Sequence, residues 1–232
     1  MTVLLVLAKA PVPGRVKTRL CPPASPEGAA RIAAAALRDT LDAVRATPGV
    51  TPVLALAGRF DDAVDGAALT AATAGWSVLP QRGPDLAARL AHAHADAAAG
   101  FPGTPVFQIG MDTPQLTPAR LAAAVHRLAG TDAVLGRAAD GGWWGLGLRD
   151  PGHAAALRTV PTSTPRTCQL TWAALRGRGL RVAPLPVLRD VDVWADALAV
   201  AGTVPGGRFA RAVAAVRPGT GAGRRCLTGG RR

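Results

Sequence analysis

The segment AKAPVPGRVKTRL, residues 8–20, places Lys9, Arg15, Lys17 and Arg19 directly after an apolar run. Pro11 and Pro13 keep it from starting as a helix, because proline fixes φ and removes an N–H. Gly14 lets backbone approach a ligand, Arg15, Lys17 and Arg19 supply positive charge, and Thr18 supplies a hydroxyl. A loop of this kind behind a buried strand is suited to an anion, phosphate above all. It is not a Walker A loop, which needs Gly directly before Lys where this chain has Val16. A solvated basic loop is the competing reading.

Carboxylates supply the other half of the chemistry. In IGMDTPQL, Asp112 falls just beyond an apolar strand, the edge at which open α/β sheets bind ligands. It suits Mg²⁺ or Mn²⁺, which take oxygen ligands and bridge to phosphates, but an Asp two residues before Pro114 also caps turns. In AADGGWWGLGL, Asp140 precedes Gly141 and Gly142, so it either serves a substrate hydroxyl or turns a hairpin. In LRDVDVW, Asp190 and Asp192 share a side if the segment is extended, and they repel unless a cation lies between them. An exposed loop is the alternative. His92 and His94, two apart on a helix, share no face and are read as ordinary helix residues. Trp172 and Trp194 sit in apolar contexts and are read as packing.

The elements that must position these groups alternate. VLLVLA (3–8) is a short apolar run typical of a strand covered on both faces. A helix follows, with Ser25 as N-cap and Pro26 at its first position. Strands at 52–57 and 76–80, a helix from Asp85 to about Ala99, and a strand at 105–110 continue the series. A helix capped by Thr117 then leads to a strand at 132–137. This βαβα order predicts a mostly parallel sheet with helices on both faces. After residue 138, GGWWGLGL reads as a strand, STPRTCQLTWAALRGRG as a helix capped by Ser163 or Thr164, and LRVAPLP as a last strand.

With 232 residues, 49% of them hydrophobic, the chain can bury one sizeable core. We expect a single domain over 1–205 and an Arg/Gly-rich extension over 206–232, disordered from about 217. No stretch is long enough to span a membrane, and the N-terminal apolar run is too short for a signal peptide, so the expected location is cytoplasmic. Cys21, Cys168 and Cys226 are far apart and form no C-x-x-C pair, which argues against a disulfide framework or a zinc site. The net charge of +12 includes seven Arg after Val204 with no acid among them; without these it is +5.

Taken in order, AKAPVPGRVKTRL, LPQRGPDLAARL, GMDTPQL, ADGGWWGLGL, TSTPR and DVDVWADAL resemble the successive motifs of a bacterial nucleotide-diphospho-sugar transferase-like family. That family has the glycosyltransferase A fold, a Rossmann-like three-layer α/β/α sandwich, and its members are usually described as glycosyltransferases. It is similar to the nucleotidyltransferases that make molybdenum guanine dinucleotide and to phospholactate guanylyltransferases. The resemblance runs from residue 3 to about residue 200. It implies nucleotide phosphates on Lys9, Gly14, Arg15, Lys17, Thr18 and Arg19, and the base or ribose near Gln81 and Gly83. It further implies a metal on Asp112 with Asp190 and Asp192 as further ligands, an acceptor against Gly141, Gly142, Ser163 and Thr164, and Asp140 as the catalytic group. Two departures fall on the acceptor side: Trp143 stands where the family has Tyr, and Thr162 where it has Trp.

The implied activity is a metal-dependent glycosyltransferase using a nucleotide-diphosphate sugar and a small-molecule acceptor. A nucleotidyltransferase, gripping an NTP with the same loop and expelling pyrophosphate, is the alternative. A non-catalytic nucleotide- or nucleic-acid-binding protein is the third class. The excess charge sits in the tail and no motif reads bases, so no specific nucleic acid is expected.

Overall fold

The computed structural model describes residues 1–216. Its strands are β1 (Thr2–Lys9), β2 (Val50–Ala57), β3 (Ser77–Pro80), β4 (Val106–Gly110), β5 (Ala133–Ala138), β6 (Trp143–Leu148) and β7 (Val182–Leu188). Its α-helices are α1 (Pro26–Arg45), α2 (Gly66–Ala72), α3 (Leu86–Gly100), α4 (Pro118–Ala129), α5 (Thr167–Arg176), α6 (Trp194–Thr203) and α7 (Arg208–Ala214). The seven strands make one sheet in the order β3-β2-β1-β4-β6-β5-β7. Strand β6 runs antiparallel to both β4 and β5, and every other pairing is parallel.

Strand β1 lies inside the sheet and its residues alternate between two apolar layers. Leu4, Val6 and Ala8 pack with Ala33, Leu37 and Leu41 of α1 and with Leu121, Ala124 and Leu128 of α4. Val3 and Leu5 pack on the other face with Ala93 and Ala97 of α3. Farther along that second face, Leu135, Leu146 and Leu148 pack with Leu175 of α5 and with the 3-10 helix Pro151–Thr159. Helices on both faces of a mostly parallel sheet give the three-layer Rossmann-like sandwich. The local signals sit where the sequence puts them: Ser25 accepts from Gly28 N at 3.0 Å, Asp85 from Ala88 N at 2.8 Å, and Thr117 from Arg120 N at 3.2 Å.

The antiparallel β6 is made possible by glycine on its partner. Trp144 lays its indole so close to Gly136 that a Cβ there would lie 2.4 Å from the ring. The same indole meets Phe107 edge-on and donates from Nε1 to Pro186 O at 2.9 Å, so it ties β4, β5 and β7 together.

The expected domain limit at 205 falls between α6 and α7, and here the structure adds to the sequence reading. Helix α7 docks on α1 with Phe209 fully buried, and Arg208 Nη1 pairs with Asp39 at 3.1 Å and Asp42 at 2.6 Å. The short α7 shows too few apolar positions for its periodicity to stand out in sequence. The expected disorder from about 217 lies outside the described residues. We propose that the folded domain runs through α7. Phe209→Ala should then destabilise the full chain by about 3 kcal/mol in urea unfolding; a loss well under ~1 kcal/mol would put α7 outside the cooperative unit.

Candidate functional site

The site is built at the carboxyl ends of four strands. Parallel pairing of β1 with β4, and of β5 with β7, brings the segments after Lys9, Gly110, Ala138 and Leu188 to one edge. The loop after β1 opens with a tight turn in which Arg15 N donates to Val12 O at 3.0 Å. Pro13 and Gly14 occupy its centre, and Gly14 takes a φ of +74°, the pattern of a type II turn. Lys17 follows in the left-handed region (φ +49°, ψ +37°) at the head of the 3-10 turn Thr18–Leu20. A non-glycine residue pays about 1–2 kcal/mol for that conformation, so contacts must hold it.

They do. The Lys17 ammonium lies 2.6 Å from Asp112 Oδ1 and donates to Val191 O. The Lys17 side chain is only 10% exposed. Arg19 pairs with Asp192 at 2.6 Å on the exposed rim, and Val191 N donates to Asp112 O at 2.9 Å. The loop carrying Val191 is itself pinned. Gln115 donates to Arg189 O, Arg189 pairs with Asp196 at 2.9 Å, and Asp196 accepts from Val193 N at 3.1 Å.

Around these contacts lies a cavity of ≈ 270 Å³ lined by Lys9, Arg15, Lys17, Thr18, Arg19, Met111, Asp112 and Asp192. Lys9 and Arg15 have no ion-pair partner among the described residues. The structure therefore gathers the expected cations around one cavity, with Gly14 serving the turn. It also places Met111 there, its Sδ accepting from Lys9 N at 3.3 Å.

Other expected residues are placed differently. Gln81 Nε2 donates to Ala8 O at 2.7 Å and Ala55 O at 2.9 Å, fastening β1 to β2. Gly83 packs against α3, where a Cβ would stand 2.8 Å from Ala88 Cβ. Neither lines the cationic cavity. A second cavity of ≈ 530 Å³ adjoins it instead, sharing Lys9 and Arg15 and lined by Ala10, Val12, Ala57, Gly58, Arg59 and Asp62. Gly58 and Arg59 directly follow β2, so the rule that singled out Asp112 could have found them.

In the β5–β6 hairpin Asp140 Oδ1 accepts from Gly142 N at 2.7 Å, so the turn reading and an exposed carboxylate coexist. Gly141 has φ +92°, and a Cβ there would lie 2.0 Å from Pro165 O. Gly141 O in turn accepts from Cys168 N at 2.9 Å. Helix α5 begins at Thr167, later than expected, because Thr167 Oγ1 donates to Pro161 O and Thr164 Oγ1 accepts from Arg166 N, holding a turn ahead of it. Ser163, exposed with φ +58°, lies in that turn rather than capping the helix.

The carboxylates do not assemble into a ready-made metal centre. Among the described residues no three His, Cys, Asp or Glu side chains form a metal-holding group. Asp192 faces Arg19. Asp112 Oδ1 is buried and, although the Lys17 ammonium is 2.6 Å away, has no aligned hydrogen-bond donor. A buried carboxylate oxygen of this kind fits a cation that takes one or two protein carboxylates and completes its shell with phosphate and water, as Mg²⁺ does. Burial raises the Asp190 carboxyl to about 6, with the Asp140 charge and then that of Asp112 adding to it and Lys17 opposing. His94 is fully buried in α3 and pushed down to about 4 by desolvation, while His92 contacts Arg82 O, so neither serves the site.

A family model described as an uncharacterized protein conserved in bacteria (DUF2064) matches residues 40–164. The chain belongs to this family. The DUF2064 chain superposes with a TM-score of 0.76 on a protein from Desulfovibrio desulfuricans G20, provisionally named a nucleotide-diphospho-sugar transferase, at 25% identity over 92% of this chain and 94% of that one. A manganese complex of Rv0371c from Mycobacterium tuberculosis H37Rv gives 0.53 at 21% identity, over 86% and 98%. A cytidylyltransferase from Leptospira borgpetersenii gives 0.54 at 14% identity, over 92% of both chains. A search of curated proteins gives no match. The DUF2064 chain thus has the fold shared by these nucleotide-diphospho-sugar transferase-like and cytidylyltransferase structures. Among the described residues no helix is long and apolar enough to cross a membrane.

A raised carboxyl pKa favours the folded state at low pH, below the unfolded value of 3.8, and that advantage is lost as pH rises through about 6. With no ligand present, Asp190→Asn should therefore be more stable than the parent at pH 8, on the order of 1 kcal/mol after solvent screening. The difference should vanish below about pH 4. Equal denaturant midpoints at both pH values would show that Asp190 is not held in a disfavoured charged state.

Proposed function

We propose that the chain is a divalent-metal-dependent transferase acting on a nucleotide-activated donor, a glycosyltransferase using a nucleotide-diphosphate sugar. The observation that carries this reading is the single cavity in which Lys9, Arg15, Lys17 and Arg19 surround space bordered by the buried Asp112 oxygen. Phosphates need the cations, and a divalent ion that clamps the same phosphates needs the carboxylate. The names of the Desulfovibrio and Leptospira proteins support a nucleotide, and the manganese complex of Rv0371c supports a divalent ion.

In this reading Lys9, Arg15, Lys17, Arg19 and Thr18 bind the diphosphate and offset the charge that grows on it as it leaves. Asp112 would hold Mg²⁺ or Mn²⁺, with Asp190 and Asp192 as candidate further ligands. When bound, the ion acts as a Lewis acid on the leaving diphosphate. The acceptor lies against Gly141, Gly142, Ser163 and Thr164. Its hydroxyl forms the new bond to the anomeric carbon as the bond to diphosphate breaks, and its proton passes to Asp140, whose Oδ2 is not engaged by Gly142 N. The nucleoside lies in the ≈ 530 Å³ cavity that shares Lys9 and Arg15 with the cationic one.

A nucleotidyltransferase is the second reading, favoured by the run of cations along the cavity, which suits a triphosphate. Turnover separates the two. Nucleotide sugars with Mn²⁺ should yield nucleoside diphosphate; pyrophosphate from an NTP would establish the second reading instead. Asp112→Asn should abolish metal-dependent turnover, and Arg19→Ala should weaken nucleotide binding by about 1.5–3 kcal/mol. Unchanged activity in the first and unchanged affinity in the second would leave the loop a solvated face.

A further inference from the structure

Strand β7 closes one end of the sheet, and α4 does not cover it fully. Arg120, Ala123, Ala124 and Arg127 recur every three or four residues, so they lie along one side of α4, the side that looks toward β7. Between that strip and the strand is a cavity of ≈ 240 Å³. Trp144 forms part of its wall, with the indole laid on Gly136 and its one polar atom, Nε1, already donating to Pro186 O. Leu185 and Leu188 complete the strand side, and apart from the two arginines every lining residue is apolar. The cavity shares no lining residue with the cationic one.

Arg120 and Arg127 are exposed, and neither has an ion-pair partner among the described residues. Seven residues apart, they stand about 10 Å from each other along the helix, one toward each end of the alanine strip. An apolar hollow rimmed by unpaired cations is complementary to an apolar body that carries a negative charge. We propose that this cavity binds a small apolar carboxylate, its body against Trp144, Leu185 and Leu188 and its charge on Arg120 or Arg127. The size fits: an apolar cavity of about 150 Å³ holds one benzene, so this one takes a substituted ring or a chain of about eight carbons. Other occupants suit it less well. An extended peptide adding to the edge of β7 needs backbone donors, and Pro184 and Pro186 have none. Residues 217–232 contain five Arg and no acid, so the chain's own C-terminal segment has the wrong sign. A nucleotide or inorganic phosphate would lose its water to an apolar lining that returns few hydrogen bonds.

The probes are octanoate, hexanoate, 1-octanol and octylammonium, each titrated into the full chain by calorimetry. Octanoate should bind at least about threefold tighter than hexanoate, because two more methylenes leave water. It should bind at least about fivefold tighter than 1-octanol, because the alcohol brings no charge to the arginines, and octylammonium should not bind. Ala123→Phe places a ring in the cavity from an exposed helix position where folding is not at stake, and should weaken octanoate at least about fivefold. The Arg120→Gln, Arg127→Gln double variant should lose the preference for octanoate over 1-octanol while binding the alcohol as the parent does. Octanoate and 1-octanol binding the parent equally, octanoate affinity unchanged in Ala123→Phe, or no binding of octanoate at all would each overturn the proposal. Self-association seen by sedimentation in the parent and lost in Ala123→Phe would overturn it too, and assign the cavity to a second copy of the chain. None of these outcomes bears on the nucleotide reading of the separate cationic cavity.

Discussion

The contact between the Lys17 ammonium, Asp112 and the Val191 carbonyl is the constraint on which the rest of the site depends. It holds Lys17 in a left-handed backbone conformation. It also closes the cationic loop onto segments that lie about a hundred and about 170 residues farther along the chain. A nearly enclosed lysine pairing with a carboxylate gains little net stability, since desolvating both charges offsets much of their attraction. Its consequence is positional: opposite charges are fixed together on the wall of the ≈ 270 Å³ cavity.

The sheet makes that placement possible. The parallel pairing of β1 with β4, and of β5 with β7, sends the chain ends after Lys9, Gly110, Ala138 and Leu188 to one edge. Strand β6, reversed between β4 and β5, starts at the same edge, so the Asp140 hairpin faces the loop carrying Asp190. The small residues serve this geometry. Gly136 yields space to Trp144, and Gly141 lets the hairpin pass against Pro165. The Asp140 hairpin is thereby tied to the same sheet as the cationic loop.

Much of this was legible in sequence because local chemistry and final fold agree. Ser25, Asp85 and Thr117 cap the helices their positions announce, and the Pro13-Gly14 pair makes the turn its residues favour. The family resemblance then carried what spacing could not, the grouping of distant carboxylates and cations. What sequence missed was set by long-range contacts. The resemblance puts a base or ribose near Gln81, and the structure shows its amide donating to the Ala8 and Ala55 carbonyls. Ser163 or Thr164 reads as a helix cap, yet Thr164 and Thr167 build a turn that delays α5. The pairing of Asp112 with Lys17 and of Asp192 with Arg19 likewise has no local signal, because the partners lie far apart in the chain. Helix α7 escaped notice because a seven-residue segment gives periodicity little to show, and only the burial of Phe209 reveals its place.

We propose that one cavity at the carboxyl edge of the sheet holds a divalent ion and a nucleotide's phosphates together. Crystals grown with Mn²⁺ and a nucleoside diphosphate test it most directly, through the anomalous signal of manganese. An anomalous peak is expected at the Asp112 carboxylate, with phosphate density between it and Lys17, Arg15 and Arg19. Manganese and phosphate found together elsewhere on the protein, with the Lys17–Asp112 pair undisturbed, would contradict it.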